Sequence, residues 1–337
     1  MSKKFKNIFF LFGVVAIFIM FVTTDLTWNE IWHSIHKIKE WICVIFLLWV
    51  LLYMMNALTW RIILKGNGCC NISFLKLLKI TISGFALNYA TPAGLMGGEP
   101  YKIFELVPYV GRERATSSVL LFSMMHIFAH FCFWFTTVVL CLLYKSLTPP
   151  LLLILASAFI FSLLGIYMFL CGYKNGFIVN LILLFSKIPC IKSIVIKFVD
   201  KHHVELSNID RQISELHQQK RTIFYKAFLL EFVGRILQSL EIFFVLVAFT
   251  SCTSYLPLFI DSVLIISFTS LFANILFFLP MQLGGREGGF VMAASHFAYG
   301  VSAGLFISII CRLRELFWTA IGLLLIKIDF NDTIIKD

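Results

Sequence analysis

Two short stretches of this chain place a glutamate beside broken backbone in otherwise apolar surroundings. The first reads Asn88-Tyr-Ala-Thr-Pro92-Ala-Gly94-Leu95-Met-Gly97-Gly98-Glu99-Pro100. The second reads Phe278-Leu-Pro280-Met-Gln-Leu283-Gly284-Gly285-Arg286-Glu287-Gly288-Gly289. Both fit P-x-x-L-x-G-x-E, with the same spacing from proline to glutamate. Proline stops a helix, and glycine permits a turn with close backbone approach. Inside a membrane, broken backbone is tolerated only where it is buried in protein or lines a wet cavity. A carboxylate at such a break is costly enough to be a functional candidate, here for gating or ion coupling. The bland alternative is a pair of packing kinks that happen to match.

Further charges interrupt the apolar runs. Glu231, Arg235 and Gln238 follow i, i+4, i+7 spacing and so share one helix face. Arg312 and Glu315 can face inward together, whereas Arg314 points elsewhere. One reading is structural ion pairs that hold a bundle together, since charges at depth usually pair with one another. The other is an anion site, because guanidinium grips a pair of phosphate oxygens as a fork. Both can hold, with Glu–Arg pairs opening to admit a phosphate. His126 and His130, four residues apart, suit polar packing better than a metal, since no third ligand is evident.

The elements that carry these residues must be membrane helices. Of 337 residues, 60% are hydrophobic and only 14% charged, with long apolar runs between the charges. Soluble domains carry about 25% charged residues, so lipid must be the solvent for most of this surface. The runs are too long and too little alternating for barrel strands. A net charge of +10 fits cytoplasmic loops and anionic headgroups better than nucleic acid. The nine cysteines form no disulfide or zinc pattern. No phosphate-cradling G-x-x-x-x-G-K-[ST] loop occurs, so intrinsic ATP hydrolysis is not expected. The longest soluble stretch, about fifty residues, is short for a catalytic domain, and neither a cofactor nor enzymatic activity is expected.

Helix-length apolar runs fall at about 8–23, 41–62, 117–143, 151–171, 223–250 and 303–326. The run at 8–23 lacks a small-x-small cleavage site and is expected to be a retained first span. Trp28, Ile31, Trp32 and Ile35 recur at helical spacing, which predicts a separate interfacial helix. Lysines and arginines near the span ends put both termini and the basic segment 172–221 in the cytoplasm. In that segment, Leu206, Ile209, Ile213 and Leu216 form the stripe of an amphipathic surface helix. The orientations agree only if 74–106 and 261–299 each dip into the membrane and return, from opposite faces. Ile80 to Tyr89 is about 15 Å of helix, half a bilayer core. The expected architecture is an all-α polytopic membrane protein, one transmembrane domain over 1–337, with about six full spans and two oppositely oriented re-entrant hairpins. Paired discontinuous helices in inverted halves are typical of secondary transporters.

The chain resembles the lysylphosphatidylglycerol synthase transmembrane-region family, also described as flippase-like membrane proteins. The resemblance rests on Pro92-Ala-Gly-Leu-Met-Gly-Gly-Glu99-Pro-Tyr-Lys102 and on Arg112 and Arg114 leading into Ser118-Val-Leu-Leu121. The Pro280…Gly285…Glu287 tip and Arg312-Leu313 with Gly322 extend it over essentially the whole chain. It implies a lipid-handling inner-membrane protein. The best-known members move an aminoacylated anionic phospholipid between leaflets and carry a cytosolic synthase domain. No such domain is visible here, so the resemblance implies translocation without lysyl transfer and a possible separately encoded lipid-modifying enzyme as partner. Phe122-Ser123 stands where the family pattern has an acidic–Arg pair.

The expected function is flipping of an anionic phospholipid or lipid-linked headgroup. Arg235, Gln238, Arg312, Glu315 and Lys102 would bind substrate, and Glu99, Glu287 and Glu231 would gate or couple, by pairing with arginine or by taking up protons. The tips are Pro92, Gly94, Gly97, Gly98, Pro280, Gly284 and Gly285. The rivals are a secondary transporter of a small anion, an integral enzyme acting on a lipid carrier, and a subunit without transport.

Overall fold

The computed structural model describes residues 28–66, 68, 72–90, 97–175, 221–250, 254–276 and 284–328, with a few isolated positions between 196 and 207. The expected first span at 8–23, nearly all of the segment 172–221, and Pro92, Gly94 and Pro280 lie outside the described residues. Every described element is a helix: α1 (Trp28–Gly66), α2 (Phe74–Ala90), α3 (Gly98–Val110), α4 (Arg112–Tyr144), α5 (Pro149–Asn175), α6 (Arg221–Phe249), α7 (Tyr255–Ile275), α8 (Gly285–His296) and α9 (Gly300–Lys327). Five of them are long and apolar enough to cross a membrane, namely α1, α4, α5, α6 and α7. The chain is therefore an all-α, multi-pass membrane protein. α9 is as long as these, and only Arg312, Arg314 and Glu315 at its centre set it apart.

Two sequence expectations change. The segment at Trp28–Ile35 is not a separate helix but the opening turns of the 39-residue α1. No proline, and no glycine before Gly66, stands in α1 to stop it. The first arms of both hairpins are also longer than half a bilayer: α2 has 17 residues and α7 has 21, about 25 Å and 31 Å. α2 includes Lys76 and Lys79 because both cations find partners, the buried Tyr109 hydroxyl and the half-exposed Ile328 carbonyl.

α2 and α3 form an antiparallel hairpin, with Asn88 against Gly98, Gly84 against Lys102 and Lys76 against Tyr109. α7 and α8 form a second, with Thr269 against Gly289 and Asp261 against Tyr299. α9 receives both. Lys79 and Ser83 of α2 bond to the carbonyls of Ile328 and Gly322, while Tyr89 reaches Arg312 and Glu315. α8 runs along the other half of α9, from Glu287 at Arg312 to Val291 at Gly304. The two tips thus meet halfway along α9, approaching from its opposite ends. α1 packs along α6 on the far side, and α4 lies against α3, α6 and α7.

Close backbone approach holds the hairpins. A Cβ on Gly98 would stand 2.1 Å from the Gly84 carbonyl oxygen, and one on Gly322 would stand 2.8 Å from that of Ile82. Small residues serve this purpose between membrane helices, where lipid offers no hydrophobic drive for association. Gly111, with φ of +78°, turns the chain sharply between α3 and α4. Gly284, with φ of +75°, does the same at the start of α8. Gly98→Ala is expected to destabilise the detergent-solubilised protein by about 1–3 kcal/mol through overpacking. Gly288→Ala, whose Cβ meets nothing within 4 Å, is expected to leave stability unchanged or raise it. Thermal unfolding of the two variants side by side checks this pair.

Candidate functional site

The first tip is organised by Asn88 at the end of α2. Its Oδ1 accepts the Gly98 amide at 2.7 Å, and its Nδ2 donates to Glu99 Oε1 at 3.0 Å. One side chain thereby supplies an orphan amide of the α3 N-terminus and fixes the carboxylate beside it. Lys102 Nζ lies 3.5 Å from the same Glu99 oxygen. The ammonium sits over the rings of Phe85 and Phe122, at 4.9 and 5.2 Å from their centroids. Its stem crosses Gly84, where any Cβ would collide with it.

The second tip meets α9 in a charge network. Arg312 Nε donates to Glu287 Oε1 at 2.6 Å, and its Nη1 lies 3.3 Å from Glu315 Oε2. Arg286 pairs with the other Glu315 oxygen. The Tyr89 hydroxyl, beside the first tip, donates to Glu315 and accepts from Arg312, so both hairpins converge on the same two residues of α9. Arg314 binds Glu241 of α6 through both oxygens, at 2.8 and 2.9 Å, and stacks 3.8 Å from the Trp49 ring. Three guanidinium groups thus face three carboxylates. Such matching is what low-dielectric surroundings require, because an unpaired charge there costs several kcal/mol.

A third group joins α4 to α6. His126 Nδ1 lies 2.9 Å from Glu231 Oε2, and Arg235 donates to His126 Nε2. A neutral imidazole with its proton on Nδ1 satisfies both bonds. Arg235 also reaches Gln238 at 3.4 Å, and His130 stands edge-on to His126 at 5.4 Å. Arg235 and Glu231, one turn apart, are bridged by the histidine and do not bond each other directly.

Between these groups lies a cavity of about 290 Å³. Its polar lining includes His126, Glu231, Arg235 and Gln238 on one side and Arg286, Arg314 and Glu315 on the other. Tyr53, Phe85, Phe133, Phe290 and Trp318 supply apolar wall between them. Clefts of this kind, mostly apolar with a few convergent polar groups, suit small ligands, and the arginines favour an anionic one.

Arg235, Gln238, Glu315 and Glu231 line the cavity as expected candidates, but Arg312 and Lys102 do not. Arg312 is turned to Glu287, Tyr89 and Glu315, and Lys102 is enclosed with Glu99 between two rings. Glu99 and Glu287 stand behind the wall, each in the first turn of its hairpin's second arm. Arg314, expected to point elsewhere, faces the cavity, because α6 and α1 cover that side of α9. Gly97 and Gly98 are buried at the first tip, while Gly284 and Gly285 open α8. Arg286, Glu241, Asn88 and Tyr89 were missed. Arg286 and Glu241 carried a usable signal, being charges inside apolar segments.

The chain matches the family described as "Lysylphosphatidylglycerol synthase TM region" over residues 8–322. Compared with curated proteins and with solved structures, it matches none. The Arg314–Glu241 pair gives a direct test of how the site is held. Arg314→Met alone is expected to cost about 3–5 kcal/mol, by leaving the buried Glu241 carboxylate unmatched, and Glu241→Leu less, because Arg314 keeps Glu315 Oε1 at 3.5 Å. The double variant is expected to cost less than either single one, which a double-mutant cycle on thermal unfolding measures.

Proposed function

The chain belongs to the lysylphosphatidylglycerol synthase transmembrane-region family, and from that premise we propose that it flips an anionic phospholipid or lipid-linked headgroup between leaflets. The observation that carries this reading is the arginine-lined cavity enclosed in an apolar helical bundle where two hairpin tips meet. The phosphate engages Arg235 of α6 and Arg286 of α8, which both line the cavity. Arg312, which does not line the cavity, holds Glu287 and the cavity-lining Glu315 in place. Glu99 and Glu287 are the gates, one on each tip.

In this reading the two hairpins are re-entrant and opposed, in an inverted repeat. Support comes from the tips meeting halfway along α9, and from second arms of 13 and 12 residues, about 20 Å and 18 Å, too short to span. The proposed orientation draws on the same contacts. Lys76, Lys79 and Arg114 gather at the base of the first hairpin, the Arg114 guanidinium on the Leu64 carbonyl. The positive-inside rule makes that basic end cytoplasmic in this reading, and the lysines near the span ends put both termini on the same side. The base of the second hairpin, where Lys145 meets Asp261, faces outward across the cytoplasmic membrane. A separately encoded enzyme supplies the modified lipid.

The cavity volume sits near the lower end of the roughly 300–1,000 Å³ of ligand pockets, enough for a headgroup and not for a whole lipid. A small soluble anion also fits it, which keeps the secondary-transporter reading as the rival. Proteoliposomes separate the two. Wild-type protein is expected to expose a fluorescent anionic phospholipid of the inner leaflet to an external quencher. Arg235→Ala/Arg286→Ala is expected to slow that exposure at least tenfold, and Glu99→Gln/Glu287→Gln to slow it as well. Lipid movement equal to wild type in all variants, with saturable phosphate uptake into the same vesicles, would replace flipping with anion transport.

A further inference from the structure

A second cavity, of about 160 Å³, lies between α4, α5, α7 and α8. Val138, Leu155, Ala158, Leu264, Leu271 and Ala293 form most of its wall. The hydroxyls that border it are turned to one another. Thr137 Oγ1 lies 2.5 Å from Ser267 Oγ and donates to the Trp134 carbonyl at 2.9 Å. With these hydroxyls paired, and the remaining ionisable lining residue, His296, exposed at the surface, the cavity is largely apolar and suits hydrocarbon.

Two placements say which hydrocarbon. Ile154 and Met292 line the cavity yet are 43% and 51% exposed, so its mouth opens on the lipid-facing surface of the bundle. Trp134 lines it too, and its Nε1 donates to Ser270 Oγ at 2.9 Å, while Ser270 lines the polar cavity. A single indole and its hydrogen bond therefore separate the apolar cavity from the charged one.

We propose that the apolar cavity holds a segment of one acyl chain of the lipid whose headgroup occupies the polar cavity, with Trp134 as the partition between them. This rests on the lipid reading of the polar site. The volume is close to that of an engineered apolar cavity of about 150 Å³ that binds benzene, so it takes about six carbons. The rest of the chain leaves past Ile154 and Met292 into the bilayer. Exchanging one hydrocarbon for another gives little hydrophobic gain. The chain is held by dispersion contacts with the enclosing walls, and holding it keeps the headgroup beside its arginines.

The probe is phosphatidylglycerol with a photoreactive diazirine at the mid-chain carbons of one acyl chain, in lipid nanodiscs with the full-length protein. After illumination, labelled positions are mapped by mass spectrometry. Label is expected on Met292, Ile154 and Leu271, and at least fivefold less in Ala158→Phe, which fills the cavity from α5. Ala293→Leu fills it from α8 and serves where the first variant misfolds. Leu153, on the lipid-facing side of α5 and 75% exposed, reports ordinary bilayer contact and should label equally in all. Cavity labelling no stronger than that of Leu153, or unchanged by both fillings, overturns the proposal. If cavity labelling persists while Arg235→Ala/Arg286→Ala flips lipid like wild type, the headgroup site fails and the chain site stands.

Discussion

Charge inside a medium that cannot solvate it governs this molecule. α9 carries Arg312, Arg314 and Glu315 within four residues, at the centre of a helix otherwise suited to lipid. None can be left unmatched, and the surrounding helices are arranged to match them. α6 brings Glu241 to Arg314, α8 brings Glu287 and Arg286, and α2 ends where the Tyr89 hydroxyl can serve both Arg312 and Glu315. The broken helices follow from the same requirement. A continuous α7–α8 rod would carry Arg286 and Glu287 past the middle of α9, whereas a break at the tip stops them beside it.

The matching is balanced yet unevenly placed. Arg312 is spent on contacts within the wall, while Arg235 reaches its carboxylate through a histidine and keeps a face toward the cavity. A pair held through an intermediary is easier for a ligand to enter than a direct fork such as Arg314–Glu241. The polar cavity therefore has a firm wall at α9 and a more yielding one at α6. On the other side of Trp134 the wall carries little polarity, so two cavities of contrasting chemistry lie on either side of one indole.

Much of this was legible in residues. The scarcity of charge specified membrane helices, and each P-x-x-L-x-G-x-E stretch runs from the segment between a hairpin's two arms into its second arm. The spacing of Glu231, Arg235 and Gln238 gave their shared face correctly. What periodicity could not supply was the identity of a neighbour. It placed Arg312 inward and Arg314 away, but α9 is covered on nearly every side, so "away" is also inside. Glu241 and Asn88 were overlooked because each acts on a partner distant in sequence or across a turn. The continuity of α1 was obscured by a change from polar to apolar surroundings, which alters what a helix touches without ending it.

Gly111 gives the first hairpin a mechanical character. α2 and α3 touch backbone to backbone at Gly84 and Gly98, so they form one stiff body, joined to α4 through a single residue whose surroundings are open within 4 Å. Its second arm turns into α4 at Gly111, so that residue is the natural pivot for any tilt. Glu99 stands about 18 Å along α3 from that pivot, so a tilt of about ten degrees displaces the tip by roughly 3 Å. That is enough to lift Tyr89 off Glu315, the contact that joins this hairpin to the charged centre of α9.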